Sequence, residues 1–118
     1  MLRKSIFSIT SEGDFKSVAL KIFRHQFENN SVYRSFCDLL YKHPSDVSEI
    51  EQIPFLPISF FKTRKVISST QNAEIVFSSS GTTGSQTSKH FVVDVSLYEE
   101  SYRDAFVYFF GDVKDYAI

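Results

Sequence analysis

At 118 residues with a formal charge of -1, the chain is one domain by length and can bury a core of its own. That charge balance excludes a general basic face for nucleic acid or anionic membrane, and no stretch approaches the about 20 apolar residues of a membrane span. Cys37, the single cysteine, forms no internal disulfide and points to a reducing, cytoplasmic setting.

The opening "MLRKSIFSITSEGDF" carries two basic residues, but Ser and Thr interrupt its apolar part too early for a signal peptide. "DFKSVALKIFRHQFENN" then places Phe15, Val18, Ala19, Ile22, Phe23 and Phe27 on one helical face, with Ser11 and Asp14 as capping residues and Asn29-Asn30 at the end. "SVYRSFCDLLYKH" predicts a second helix with Ser31 as N-cap, a stripe of Val32, Phe36, Leu39 and Leu40, and Pro44 as its stop. Residues 1–44 therefore read as a helical hairpin. Cys37 beside the stripe reads as a buried small residue rather than a nucleophile.

Residues 45–72 form a Pro- and aromatic-rich connection. Asp46-Val47-Ser48-Glu49 suits a capping box for one short turn. Pro54 and Pro57 forbid a regular helix through "IPFLPISFFKTRKVISS", which is expected to end in a turn and a strand near Arg64–Ile67. The basic trio Lys62, Arg64 and Lys65 suits a solvated face.

Residues 73–118 predict strand, loop, strand and helix. The strands are "AEIVF" (73–77) and "HFVVDV" (90–95); Ser96-Leu97-Tyr98-Glu99 offers a capping box for a helix with Tyr98, Tyr102, Ala105, Phe106 and Phe109 on one face and Gly111 past its end. The closing "DYAI" reads as the start of a further strand. The fold class is α/β, or α+β for the piece in isolation. The load of 13 Phe and 6 Tyr implies a thick aromatic core or an apolar surface open to self-association.

Between the two strands lies "SSSGTTGSQTSK". Glycines allow backbone N–H groups to turn inward and approach an anion, and hydroxyls add donors of adjustable direction. Ser79, Ser80, Gly81, Thr82, Thr83 and Gly84 meet that specification for phosphate, with Lys89 as a mobile point charge. The P-loop of nucleotide hydrolases does not fit, because Ser88 stands where its second glycine belongs, His90 where its hydroxyl belongs, and a strand rather than a helix follows. On composition alone a solvated hairpin loop without function remains the alternative, although about ten residues is long for a hairpin. His25, His43 and His90 have no metal-ligand spacing, and Asp38, Glu49 and Glu51 show no acid/base pairing.

"SSSGTTG" resembles the phosphate-binding signature of adenylate-forming enzymes, the superfamily of acyl-CoA synthetases, firefly luciferase and peptide-synthetase adenylation domains. "LKIFRHQFENNSVYRSFCDLL", "IPFLPISFFKTRKV" and "YFFGDVKDYAI" resemble the LuxE-type acyl-protein synthetases, relatives of phenylacetate-CoA ligase, so the likeness spans nearly the whole chain. The Pro-Lys pair that follows the second glycine in the usual signature is absent, and Gln86, Thr87 and Ser88 set the lysine back to Lys89. The resemblance implies the N-terminal part of a longer ligase, inactive by itself, in which a fatty or aryl carboxylate reacts with ATP and magnesium and the acyl group passes to a protein thiol or CoA. It gives Ser79, Ser80, Gly81, Thr82, Thr83 and Gly84 the β- and γ-phosphates, gives Lys89 the departing pyrophosphate, and gives Cys37 no part. A partner-binding module without catalysis is the competing expectation.

Overall fold

A computed structural model describes residues 2–80 and 86–116. Its framework is α2 (Glu12–Asn29) followed almost at once by α3 (Ser31–Leu39). Ser11 caps α2 by accepting the Asp14 N–H at 3.0 Å, and the Asp14 carboxylate reaches back to the Thr10 N–H and hydroxyl at 3.2 and 3.1 Å. Asn30 closes α2, its N–H donating to the Gln26 carbonyl, and opens α3, its side-chain oxygen accepting from the Tyr33 N–H at 3.1 Å. This corrects the expected N-cap: Asn30, not Ser31, serves both helices, because its short amide reaches the first free N–H groups from extended backbone.

Phe23, Phe27, Tyr33, Cys37 and Val47 make the core, with Leu20, Phe36, Ile53 and Leu56 packed against them. The face expected on α2 is present, although Phe15 at its start is exposed. On α3 the buried pair is Tyr33 and Cys37, while Leu39 and Leu40 of the expected stripe face outward. The tilt follows from Tyr33, whose ring meets Phe23 edge-on at 6.1 Å and whose hydroxyl donates to the Pro54 carbonyl at 2.6 Å. Cys37 is fully buried, as its reading required, and burial pushes its thiol pKa up.

Pro44 does not end α3. The stop is a Schellman turn, in which the Lys42 N–H reaches the Cys37 carbonyl at 3.0 Å, the Tyr41 N–H reaches that of Asp38 at 3.1 Å, and Tyr41 takes a φ of 55°. Two 3-10 turns follow, Pro44–Asp46 and Ile50–Gln52. Asp46 accepts from the His43 N–H, and Gln52 from the N–H groups of Ser48 and Glu49, so the box expected within residues 46–49 is split between two turns.

Past the prolines, α4 (Phe60–Thr63) is a single turn. The strand expected near Arg64–Ile67 does not form. The described sheet has only β1 (Ile75–Ser78) and β2 (Lys89–Val92), antiparallel, in the register Ile75↔Val92, Val76↔Phe91, Phe77↔His90 and Ser78↔Lys89, and residues 64–67 have no ladder partner in it. A short α1 (Leu2–Ile6), unanticipated from sequence, docks by Arg3, which donates to Glu100 at 2.8 Å and to the Ser96 hydroxyl at 2.9 Å. Those partners lie on α5 (Val95–Phe110), which is capped by Asp94 accepting from the Ser96 N–H rather than by Ser96 itself. Gly111 ends α5 with a φ of 82°, and a 3-10 turn, Val113–Asp115, follows; the strand start expected over residues 115–118 falls partly on residues 117–118, which lie outside the described residues. The mixed helix-and-strand class is thus observed.

None of the side chains described on α5 is buried, and Tyr102, Tyr108, Phe109 and Phe110 lie exposed along it. The radius of gyration, 16.8 Å, exceeds the about 13.5 Å typical of a compact domain this long. Among the described residues no helix is long and apolar enough to cross a membrane.

Candidate functional site

The hairpin β1–β2 brings together the two ends of the Ser/Thr/Gly loop. Residues 81–85, which include Gly81, Thr82, Thr83 and Gly84, lie outside the described residues. Its neck is described. The Ser79 N–H donates to the Ser88 carbonyl at 3.1 Å, and the Ser88 N–H donates to the Ser79 Oγ at 3.0 Å. One rung of this clasp is backbone pairing continued past the ladder; the other is supplied by a side chain. A hydroxyl accepts through its lone pairs and keeps its own proton, so Ser79 still has an O–H to donate. Ser80 is exposed at the loop's start.

Lys89 is the first residue of β2, opposite Ser78, and its side chain is exposed. The lysine is therefore carried by the strand and not by the loop. The clasp continues sideways, with Ser88 Oγ 3.2 Å from Nε2 of His90 and the His90 ring stacked on Phe61 of α4 at 4.6 Å and 27°. Lys65 sits over the Phe91 ring at 5.0 Å. These contacts hold the basic turn Lys62–Lys65 against the strand that leaves the loop. A cleft of about 480 Å³ results, lined by Lys62, Arg64, Lys65 and Lys89 together with Gln86 and Thr87 of the loop's second flank. Sequence reading found each of these cations, but not that they meet; the signal was a basic run directly after Phe60-Phe61, uninformative until α4 packs on β2.

Phe61 and Phe91 form a wall of this cleft and also line an apolar cavity of about 910 Å³. Ile6, Phe15, Ile22, Ile53 and Phe55 also line it. Its size lies within the range of small-molecule sites. Among the described residues no group of three or more His, Cys, Asp or Glu could hold a metal ion. His25 faces Asn29, His43 lies against Ser45 and Phe27, and His90 belongs to the clasp.

The family model for "Acyl-protein synthetase, LuxE" matches residues 8–99, a span that takes in the helical pair, the connection, the hairpin and the start of α5. The chain belongs to the LuxE acyl-protein synthetase family. Among curated proteins it is similar to the long-chain-fatty-acid–luciferin-component ligase of Photorhabdus luminescens, 37% identical over 70 residues, which are 58% of this chain and 60% of that protein. The match thus spans about three-fifths of the relative's length. No solved structure matches.

Proposed function

We propose that the chain forms the phosphate-holding part of an ATP-dependent acyl-protein synthetase of the adenylate-forming kind, acting on a long-chain carboxylic acid. The observation that carries this reading is the Gly-Thr-Thr-Gly loop, set between antiparallel strands with its neck clasped by Ser79 and Ser88, inside a stretch matched by the family model. The substrate class comes from the Photorhabdus relative, whose name specifies a long-chain fatty acid.

The chemistry has two steps. A carboxylate oxygen attacks the α-phosphorus of ATP, forming an acyl–phosphate bond while the bond to the bridging oxygen of the β-phosphate breaks and pyrophosphate leaves. A thiol, of a partner protein or CoA, then attacks the acyl carbon; AMP leaves and the thiol proton passes to solvent. Charge accumulates on the departing pyrophosphate, and donors fixed in advance lower that barrier. Ser79, Ser80, Thr82 and Thr83, with the N–H groups at Gly81 and Gly84, supply those donors in this reading, and Lys89 adds positive charge beside the neck. Magnesium enters with ATP as part of the substrate, held chiefly by its phosphates and water. The apolar cavity behind Phe61 and Phe91 suits the acyl chain.

The test is acid-dependent exchange of labelled pyrophosphate into ATP by the longest natural form containing this chain, across fatty and aryl acids. Exchange with long-chain acids, lost in Gly84→Val, is the expected result; no exchange with any acid overturns the reading. A second reading rests on α5, whose exposed Tyr and Phe rings suit contact with a protein partner or a second copy. Sedimentation decides it: a monomer at all concentrations removes self-association.

A further inference from the structure

We propose that the cleft between α4 and β2 is an anion site, with Lys62, Arg64, Lys65 and Lys89 receiving the pyrophosphate end of a nucleotide as the second wall of the phosphate site. The inference rests on the reading above for its ligand chemistry and shares Lys89 with it, but adds Lys62, Arg64 and Lys65, which that reading does not use. Four cations line one concavity, and no Asp or Glu lines it with them. Among the described residues none of the four takes part in an ion pair, so no carboxylate of the chain neutralises the charge they gather in one place. In a chain with net charge -1, gathering unpaired cations in a hollow opposes the usual interspersion of signs. An anion relieves the resulting repulsion.

The position selects the anion. Lys89 follows Ser88 of the neck directly, and Gln86 and Thr87 belong to both loop and cleft. The Phe61–His90 stack and the Lys65–Phe91 contact fix the basic turn to β2, so an anion held at the loop has this cleft beside it. A volume of about 480 Å³ accommodates a diphosphate. Arg64 presents a planar fork suited to two phosphate oxygens, and the three lysines act as mobile point charges.

Titration of inorganic pyrophosphate by calorimetry tests this on the parent, on Lys62→Gln/Lys65→Gln, on Gly84→Val, and on Lys114→Gln as a charge control away from the cleft. The double variant is expected to bind roughly five- to tenfold more weakly, from two exposed charge contacts. Lys114→Gln should match the parent, and the difference should shrink with added salt. Circular dichroism confirms that the variants fold. Parent-like affinity in the double variant overturns the cleft, and if Gly84→Val is then weak the loop reading stands alone. Loss in the double variant with parent-like Gly84→Val keeps the cleft and removes the loop. A parent that binds no pyrophosphate overturns the cleft, leaving the exchange assay to decide the loop.

Discussion

Replacing Ser79 with Ala isolates the clasp at the loop's neck. The change removes one acceptor, Oγ, from the Ser88 N–H at 3.0 Å, and leaves the Ser79 N–H to Ser88 carbonyl bond at 3.1 Å in place. Ser88 is 5% exposed, so its freed N–H has little access to water. A net loss of about 1 kcal/mol follows from the typical worth of such a bond, equivalent to about a fivefold change in an opening equilibrium. Native-state amide exchange reads that directly: Ser88 should exchange about fivefold faster, with the amides of α2 and α3 unchanged. If a clasped neck is needed to hold phosphate, ATP affinity should fall by a similar factor. Ser80→Ala is the comparison, because no neck bond depends on it; any loss there reports a direct contact alone. Unchanged protection at Ser88 in Ser79→Ala would refute the clasp, and slowed pyrophosphate exchange with unchanged protection would reassign Ser79 to direct phosphate contact.

Three further outcomes are expected. Tyr41→Gly should raise stability by about 0.5–1 kcal/mol, since Tyr41 is 92% exposed at a φ of 55° that costs a side chain more than glycine's extra chain entropy; an unchanged or lower urea midpoint counts against it. Tyr33→Phe should cost about 1 kcal/mol by leaving the Pro54 carbonyl without its hydroxyl donor while keeping the ring against Phe23, seen as a lower midpoint at constant slope; an unchanged midpoint would show that the bond adds nothing. Asp14, through the Thr10 N–H and hydroxyl, and Asp94, through the Ser96 hydroxyl and N–H, hold their carboxyl pKa values below the usual range. With folded values depressed, their contribution is present above about pH 4 and is lost as pH falls through the folded pKa, so Asp14→Asn and Asp94→Asn should flatten the acid limb of stability. An acid limb of the same slope in both variants would place the effect elsewhere.

Much of the local structure was legible because it is written in short-range patterns. The α2 face follows from apolar spacing, the Ser11 cap from one hydroxyl before a helical run, and the two strands from apolar runs on either side of a polar loop. Misplacements have local causes of a different kind. Asn30 and Asp94 outcompeted neighbouring serines as caps, and a Schellman turn at Tyr41 ended α3 before Pro44 was reached. The strand near Arg64–Ile67 failed because β-propensity forms no ladder without a partner, and the described sheet offers none.

By itself the sequence determined the glycine- and hydroxyl-rich make-up of the loop, its place in a hairpin and the burial of Cys37, since residue type and strand or helix periodicity act over a few neighbouring residues. Only tertiary packing decided that Ser79 clasps Ser88, that Tyr33 turns inward at the expense of Leu39, and that Lys62, Arg64 and Lys65 share a cleft with Lys89. The basic turn lies far from Lys89 along the chain, and the ring contacts of Phe61 and Phe91 that bring the cations together have no periodicity to announce them.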